Sequence, residues 1–211
     1  MAIRTIAVIG AGTMGAGIAQ VCAQCGWTTK LFDAFPEGLS AGIENINAFW
    51  EKGIAKGKTT EEQKAEWSAN LVAVADMATA VADADLVIEA VPEIADLKHR
   101  IFADLARMVP EHAVLASNTS SLSIADIAAA TDCSERVIGM HFFNPVPLMG
   151  LLELVYHEKT SDATIAIARA AAAMMGKTDI LVKDVPGFAT SRLGVVLGNE
   201  AIRMLAEGVA S

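Results

Sequence analysis

Basic clusters are absent from this sequence. Its 16 Lys and Arg are outnumbered by 25 Asp and Glu, leaving a formal charge of −9 at pH 7. A protein that grips a nucleic-acid duplex needs a basic face to neutralise phosphates, so no nucleic-acid partner is expected. Long apolar runs are missing too. None reaches the roughly 18 residues of a membrane span, and the nearest, Ala163 to Met175, is interrupted by Arg169. The N-terminus does not read as a secretory leader, because Ile6 to Ile9 leads directly into a glycine turn. No membrane role is expected, and the expected setting is cytoplasmic. Cysteine is scarce, with three in all. Cys22 and Cys25 form a CxxC inside a predicted helix, with no second CxxC and no nearby His, so they read as small buried helix residues. No metal is expected, and three thiols suit a reducing compartment.

What the chain does have is apolar bulk: 53% of its 211 residues are hydrophobic, many of them Ala. That suits one α/β domain with closely packed helices and a small second unit. Short buried strands are predicted at Ile6–Ile9, Thr28–Phe32, Leu71–Val74, Leu86–Ala90, Val114–Ala116, Val137–Met140, Leu151–Tyr156 and Ile180–Val182. Helices are predicted at Ala16–Gln24, Glu37–Lys56, after the cap at Thr59–Thr60, and at Ile94–Met108, Ile124–Ala130, Ala163–Met175 and Ser191–Glu207. In Glu37–Lys56, the residues Leu39, Ile43, Ile46, Phe49, Trp50 and Ile54 fall on one stripe. Strands alternating with helices at this spacing predict a doubly wound, Rossmann-type α/β domain with a mostly parallel sheet. Pro186-Gly187-Phe188 breaks the pattern. The expected division is therefore residues 1–185 as a dinucleotide-binding domain and 186–211 as the first helix of a C-terminal helical domain.

The first βα turn reads Gly10-Ala11-Gly12-Thr13-Met14-Gly15, a GxGxxG. In such a turn the first glycine allows the bend, the second lets backbone approach a pyrophosphate, and the third lets helix and strand pack closely. The N–H groups at the helix start, through Thr13 and Met14, then face the phosphates. By itself the pattern is weak. Here it follows a strand, opens a helix, and has Asp33 at the end of the next strand. A carboxylate there suits ribose hydroxyls and repels a 2′-phosphate, so the expected cofactor is NAD rather than NADP.

A second constellation gathers at later strand ends. Glu93 and Lys98 follow the strand Leu86–Ala90. They read either as a helix-start acid and a solvated surface charge, or as ligand contacts where ligands bind such sheets. Ser117 to Ser121 follows the next strand. Its neighbour Ser123 is a candidate helix cap, and no GxSxG elbow supports a nucleophile, so a hydrogen bond to a ligand oxygen is the functional reading. His141 stands in His141-Phe142-Phe143-Asn144-Pro145-Val146-Pro147, and Glu153 lies on the strand after the proline turn. If the two meet across neighbouring strands, the carboxylate fixes the tautomer of a general base. Beside NAD, that is the equipment for alcohol oxidation.

The turn GAGTMGAGIAQ, then SNTSS, HFFNPVP and PGF, in this order and spacing, resembles the L-3-hydroxyacyl-CoA dehydrogenases, most of all their short-chain bacterial branch, the 3-hydroxybutyryl-CoA dehydrogenases. The resemblance covers essentially the whole chain. It implies that His141 takes the proton of the 3-hydroxyl, that Glu153 orients His141, and that Ser120 bonds the substrate oxygen. It further implies that Glu93, Lys98, Ser120 and Asn144 contact NAD, that Lys98 and Ser120 lie near the acyl-CoA, and that Lys52 and Lys56 are candidate CoA contacts. The family has Asn where this chain has Ser191, a shorter hydrogen-bonding group, as the fourth catalytic position. Family members also continue into a helical domain that carries the dimer contact and closes the cleft. This chain ends at Ser211, so a fragment, or a second chain supplying the rest, is expected. A partner would then cover Leu193, Val196, Leu197, Ile202 and Leu205. An isolated NAD-binding module without turnover and a dehydrogenase of a non-CoA hydroxy acid stay open as alternatives. The second is disfavoured because its relatives carry HPxNPP in place of HFFNPVP.

Overall fold

A computed structural model describes residues 3–210. The chain opens with β1 (Thr5–Ile9), α1 (Thr13–Gln24), β2 (Thr28–Phe32), α2 (Pro36–Ala55), α3 (Glu61–Asn70) and β3 (Leu71–Val74). It continues with α4 (Met77–Val81), β4 (Leu86–Glu89), α5 (Ala95–Met108), β5 (Val114–Ser117) and α6 (Ile124–Ala129). It closes with β6 (Val137–Phe142), β7 (Leu151–Tyr156), α7 (Asp162–Met174), β8 (Thr178–Lys183) and α8 (Thr190–Ala206).

The eight strands form one sheet in the order β3-β2-β1-β4-β5-β6-β7-β8. From β3 to β6 all pairs are parallel. β7 then runs antiparallel to β6, and β8 follows β7 in parallel. β4 and β5 are buried along their whole length, which is why they read as apolar runs rather than as an alternation: helices cover both sheet faces. One core lies under α1, α2 and α7, the other under α4, α5 and α6. Ala16, Ala19 and Ala23 of α1 are buried, so that helix sits close to the sheet. The strand order turns outward on both sides of β1 and β4, and the crevice at their C-terminal ends is where a doubly wound sheet takes its ligand.

Local chemistry fixes the boundaries. The Thr60 hydroxyl accepts from the Gln63 N–H while the Gln63 side chain accepts from the Thr60 N–H, a reciprocal capping box. Ser123 and Ser161 cap α6 and α7 in the same sense. Some features depart from the sequence reading. α4 was not expected: its five residues carry no periodicity, and Asp76, which accepts from the Thr79 N–H, is its only signal. β6 and β8 run beyond their expected ends, so His141 lies within a strand rather than after one. In α2 only Ile46 and Trp50 of the predicted stripe are fully buried, and Phe49 is about a third exposed.

α8 is different in kind. None of its residues is buried, and Leu193, Leu197 and Ile202 are each about 70% exposed. It is anchored at its N-terminus. The turn before it uses Gly187 at φ 76° and Phe188 at φ 49°, a left-handed pair that drops the Phe188 ring into the core. No helix among the described residues is long and apolar enough to cross a membrane.

Candidate active site

The glycine turn is built by contact. Gly10 sits at φ 101°, and a Cβ there would lie 2.8 Å from the Ala90 carbonyl. A Cβ on Gly15 would fall 1.7 Å from the Gly10 carbonyl oxygen. Gly12 differs: a Cβ on it would meet nothing within 4 Å. The backbone at Gly12 therefore faces open space. Its helix, α1, has no side-chain cap and no acid in its first turn, so the N–H groups around Thr13 and Met14 and the positive end of the helix dipole are offered outward. Asp33 closes the turn from β2. Its carboxylate accepts from the Ala11 N–H at 2.7 Å and the Phe35 N–H at 2.9 Å, so it braces the loop.

The second strand end is organised by a residue that sequence reasoning passed over. Glu89, the last residue of β4, is wholly buried. It accepts from Lys98 Nζ at 2.7 Å, from the Val91 N–H at 2.7 Å and from Ser117 Oγ at 2.7 Å. Lys98 is therefore no solvated surface charge. It is 0% exposed, and its ammonium is shared among Glu89, the Val91 carbonyl and Glu93 Oε2 at 3.3 Å. Glu93 in turn accepts from the Thr119 hydroxyl and from the Ser120 N–H at 3.0 Å. Burial works against the Glu93 charge, but Thr119, Lys98 and Ser120 outweigh it and hold its pKa below the ordinary 4.5. The only sequence signal for Glu89 was an acid closing an apolar run, which reads equally as a strand end.

β6 and β7 pair His141 directly opposite Glu153. His141 Nδ1 lies 2.8 Å from Glu153 Oε2, and both residues are buried. Glu153 also receives the start of α8: the Ala189 and Thr190 N–H groups at 2.8 and 3.1 Å, and the Thr190 hydroxyl at 2.7 Å. Burial raises its pKa, but His141, Thr190 and these N–H groups outweigh that and leave it below the ordinary 4.5. Thr190 was not foreseen, since 37 residues separate it from Glu153. The Phe143 ring packs 4.6 Å from the imidazole and the Phe188 ring 6.1 Å from it. Asn118 braces the strand by accepting from the Phe142 N–H at 2.9 Å.

These pieces converge. A cleft of about 380 Å³ is lined by Met14, Val91, Glu93, Asn118, Ser120, His141, Phe143 and Asn144. It thus joins the glycine turn, the Glu93 loop, the serine cluster and the imidazole. Ser191 reaches the same corner by donating to the Ser120 carbonyl at 2.9 Å. Asn144 also lines a second groove of about 300 Å³, walled by α1, α2 and the proline loop. Lys52 and Lys56 are exposed at the far end of α2 and line neither space. Another hollow, about 570 Å³ beside Tyr156 and Lys183, contains none of these groups. The three cysteines are free. Burial pushes the Cys22 thiol up, and the Cys25 thiol up to about 11. Among the described residues no group of three or more His, Cys, Asp or Glu side chains could hold a metal.

Comparison with known proteins gives a consistent result. Residues 5–185 match the family described as 3-hydroxyacyl-CoA dehydrogenase, NAD binding domain. A probable 3-hydroxybutyryl-CoA dehydrogenase of Bacillus subtilis is 42% identical over 210 residues, covering 100% of this chain and 73% of the relative. A 3-hydroxybutyryl-CoA dehydrogenase of Bradyrhizobium diazoefficiens is also 42% identical, covering 99% of this chain and 71% of the relative. The crystal structure of (S)-3-hydroxybutyryl-CoA dehydrogenase from Ralstonia eutropha superimposes with a TM-score of 0.96 at 42% identity, over 100% of this chain and 74% of that one.

Proposed function

The chain belongs to the 3-hydroxyacyl-CoA dehydrogenase family, and from that premise we propose that it interconverts short (S)-3-hydroxyacyl-CoA and 3-ketoacyl-CoA with NAD, using His141 as the base. The observation that carries the reading is the buried His141–Glu153 pair opening into the same cleft as the glycine turn.

The residues fit NAD. Gly12 leaves its backbone open to a phosphate, and the uncapped start of α1 offers N–H groups and a partial positive charge to it. Asp33 stands where a ribose diol would lie, and its charge disfavours a 2′-phosphate. Gly10, Gly12, Thr13, Met14, Gly15 and Asp33 would hold the adenosine and pyrophosphate, with Glu93, Ser120 and Asn144 toward the nicotinamide. When bound, NAD supplies the hydride acceptor.

The protein supplies the proton path. With its Nδ1–H donated to Glu153, the imidazole presents Nε2 as an acceptor, and the carboxylate stabilises the imidazolium that forms when Nε2 takes the 3-hydroxyl proton. Phe143 and Phe188 pack against the ring. The Ser120 hydroxyl bonds the substrate oxygen, and Ser191, reaching through the Ser120 carbonyl, holds that serine in place. Lys98 acts from behind, by fixing Glu93. Lys52 and Lys56 are free to meet the distal phosphates of CoA.

In the same reading residues 1–185 form the cofactor domain. Residues 186–211 open a helical unit whose apolar face, including Leu193, Val196, Leu197, Ile202 and Leu205, is covered by further helices that also carry a homodimer contact. The setting is cytoplasmic, without nucleic-acid or membrane partners. The deciding experiment follows NADH loss with acetoacetyl-CoA, alongside an NADH binding titration and a control with NADPH. Turnover with NADH and little with NADPH supports the proposal. Binding without turnover identifies a bare NAD-binding module instead.

A further inference from the structure

We propose that the buried triad Glu89–Lys98–Glu93 biases the cleft toward the oxidised, cationic nicotinamide, with Glu89 as the positioning residue that sets the bias. The inference rests on the reading above, that the nicotinamide lies in the cleft beside His141.

Two carboxylates here share one ammonium. Lys98 Nζ is 2.7 Å from Glu89 but 3.3 Å from Glu93, so its charge is satisfied first by Glu89. Glu89 cannot swing away, because the Val91 N–H and the Ser117 hydroxyl hold it from its other sides. Glu93 is therefore the member whose negative charge is less fully compensated, and Glu93 is the member that lines the cleft. Of the cleft-lining residues only Glu93 and His141 are ionisable, and the carboxylate behind His141 is answered by the N–H groups that start α8. One net negative charge lining the cleft distinguishes a cationic ring from its neutral reduced form by direct attraction, weakened but not abolished by solvent at the 37% exposed Glu93 side chain. Removing the charge of Glu89 frees Lys98 to pair fully with Glu93, and the bias disappears although Glu89 never touches the ligand.

The test measures binding, not turnover. NADH affinity is read by fluorescence titration and NAD affinity by competition, in the wild-type protein, Glu89→Gln and Glu93→Gln. The expected result is a rise of about fivefold in the ratio of the NAD to the NADH dissociation constant in each variant, with NADH affinity nearly unchanged in Glu89→Gln. Proportionate weakening of both forms would mean that Glu89 serves packing alone, and overturns the proposal. Glu93 is partly exposed and tolerates the change, so an unaltered ratio in Glu93→Gln overturns it even if Glu89→Gln does not fold. Failure of the wild-type protein to bind either form is a separate outcome that overturns the cofactor reading itself.

Discussion

Replacing Gly12 and Gly15 by alanine, one at a time, separates ligand binding from folding within four residues of chain. At Gly15 the added methyl carbon would lie 1.7 Å from the Gly10 carbonyl oxygen, where real Cβ atoms essentially never come within 3.0 Å. The atom in the way is backbone, so α1 must move or the turn must open. Overpacking of this kind costs about 1–3 kcal/mol or more, a drop in melting temperature of several degrees for a domain of this size. At Gly12 the same methyl meets nothing within 4 Å. Its φ of −64° and ψ of −174° are open to any residue, so stability should stay within about 0.5 kcal/mol of the parent. The methyl does, however, occupy the space in which a phosphate would touch the backbone. We expect NADH affinity to fall by at least about tenfold, or roughly 1.4 kcal/mol, with an unchanged melting curve. The assays are differential scanning fluorimetry and NADH titration on the same samples. A Gly12→Ala protein with parental NADH affinity would refute the phosphate-approach argument. A Gly15→Ala protein with parental stability would refute the packing of the turn.

The remaining expectations concern the acid–base pair, the ribose site and the thiols. His141→Ala should lower turnover by about 10²–10⁴-fold with NADH affinity nearly unchanged, and a variant with near-normal turnover would remove His141 from the base role. Asp33→Ser should narrow the preference for NADH over NADPH, measured as a ratio of kcat/KM values, because the charge that repels a 2′-phosphate is gone. The folded pKa of Glu153 lies below its ordinary 4.5. Its stabilising contribution is therefore fully present above that pH and lost as pH falls through the depressed folded value. Urea midpoints should accordingly fall less steeply with acid in Glu153→Gln than in the parent. With Cys22 and Cys25 held protonated by burial, both should react slowly with a thiol reagent at neutral pH in the native protein and rapidly in urea.

The sequence told a good deal, for identifiable reasons. The turn from Gly10 to Gly15 was legible because glycine spacing reports backbone geometry directly, and the caps at Thr60 and Ser123 because a cap is a local hydrogen bond. The facing of His141 and Glu153 could be posed as a question, since a proline turn between two strands invites them to pair. What stayed hidden is what spacing cannot carry. Glu89 looked like the end of an apolar strand, because a buried charge is recognised by its partners, and those sit 9 and 28 residues away. Lys98 was ambiguous for the same reason. Thr190 lies beyond the interruption of the pattern at Pro186-Gly187-Phe188, and only the arrival of α8 at β7 brings it to Glu153.

That arrival ties motion to reactivity. The carboxylate that orients the imidazole is also the hook on which α8 hangs, through two amide donors and one hydroxyl. A tilt of α8 would draw those donors away from the same carboxylate that meets His141 Nδ1. Whatever seats the helix thus bears on the His141–Glu153 pair without crossing any intervening residue: the joint and the imidazole are one side chain apart.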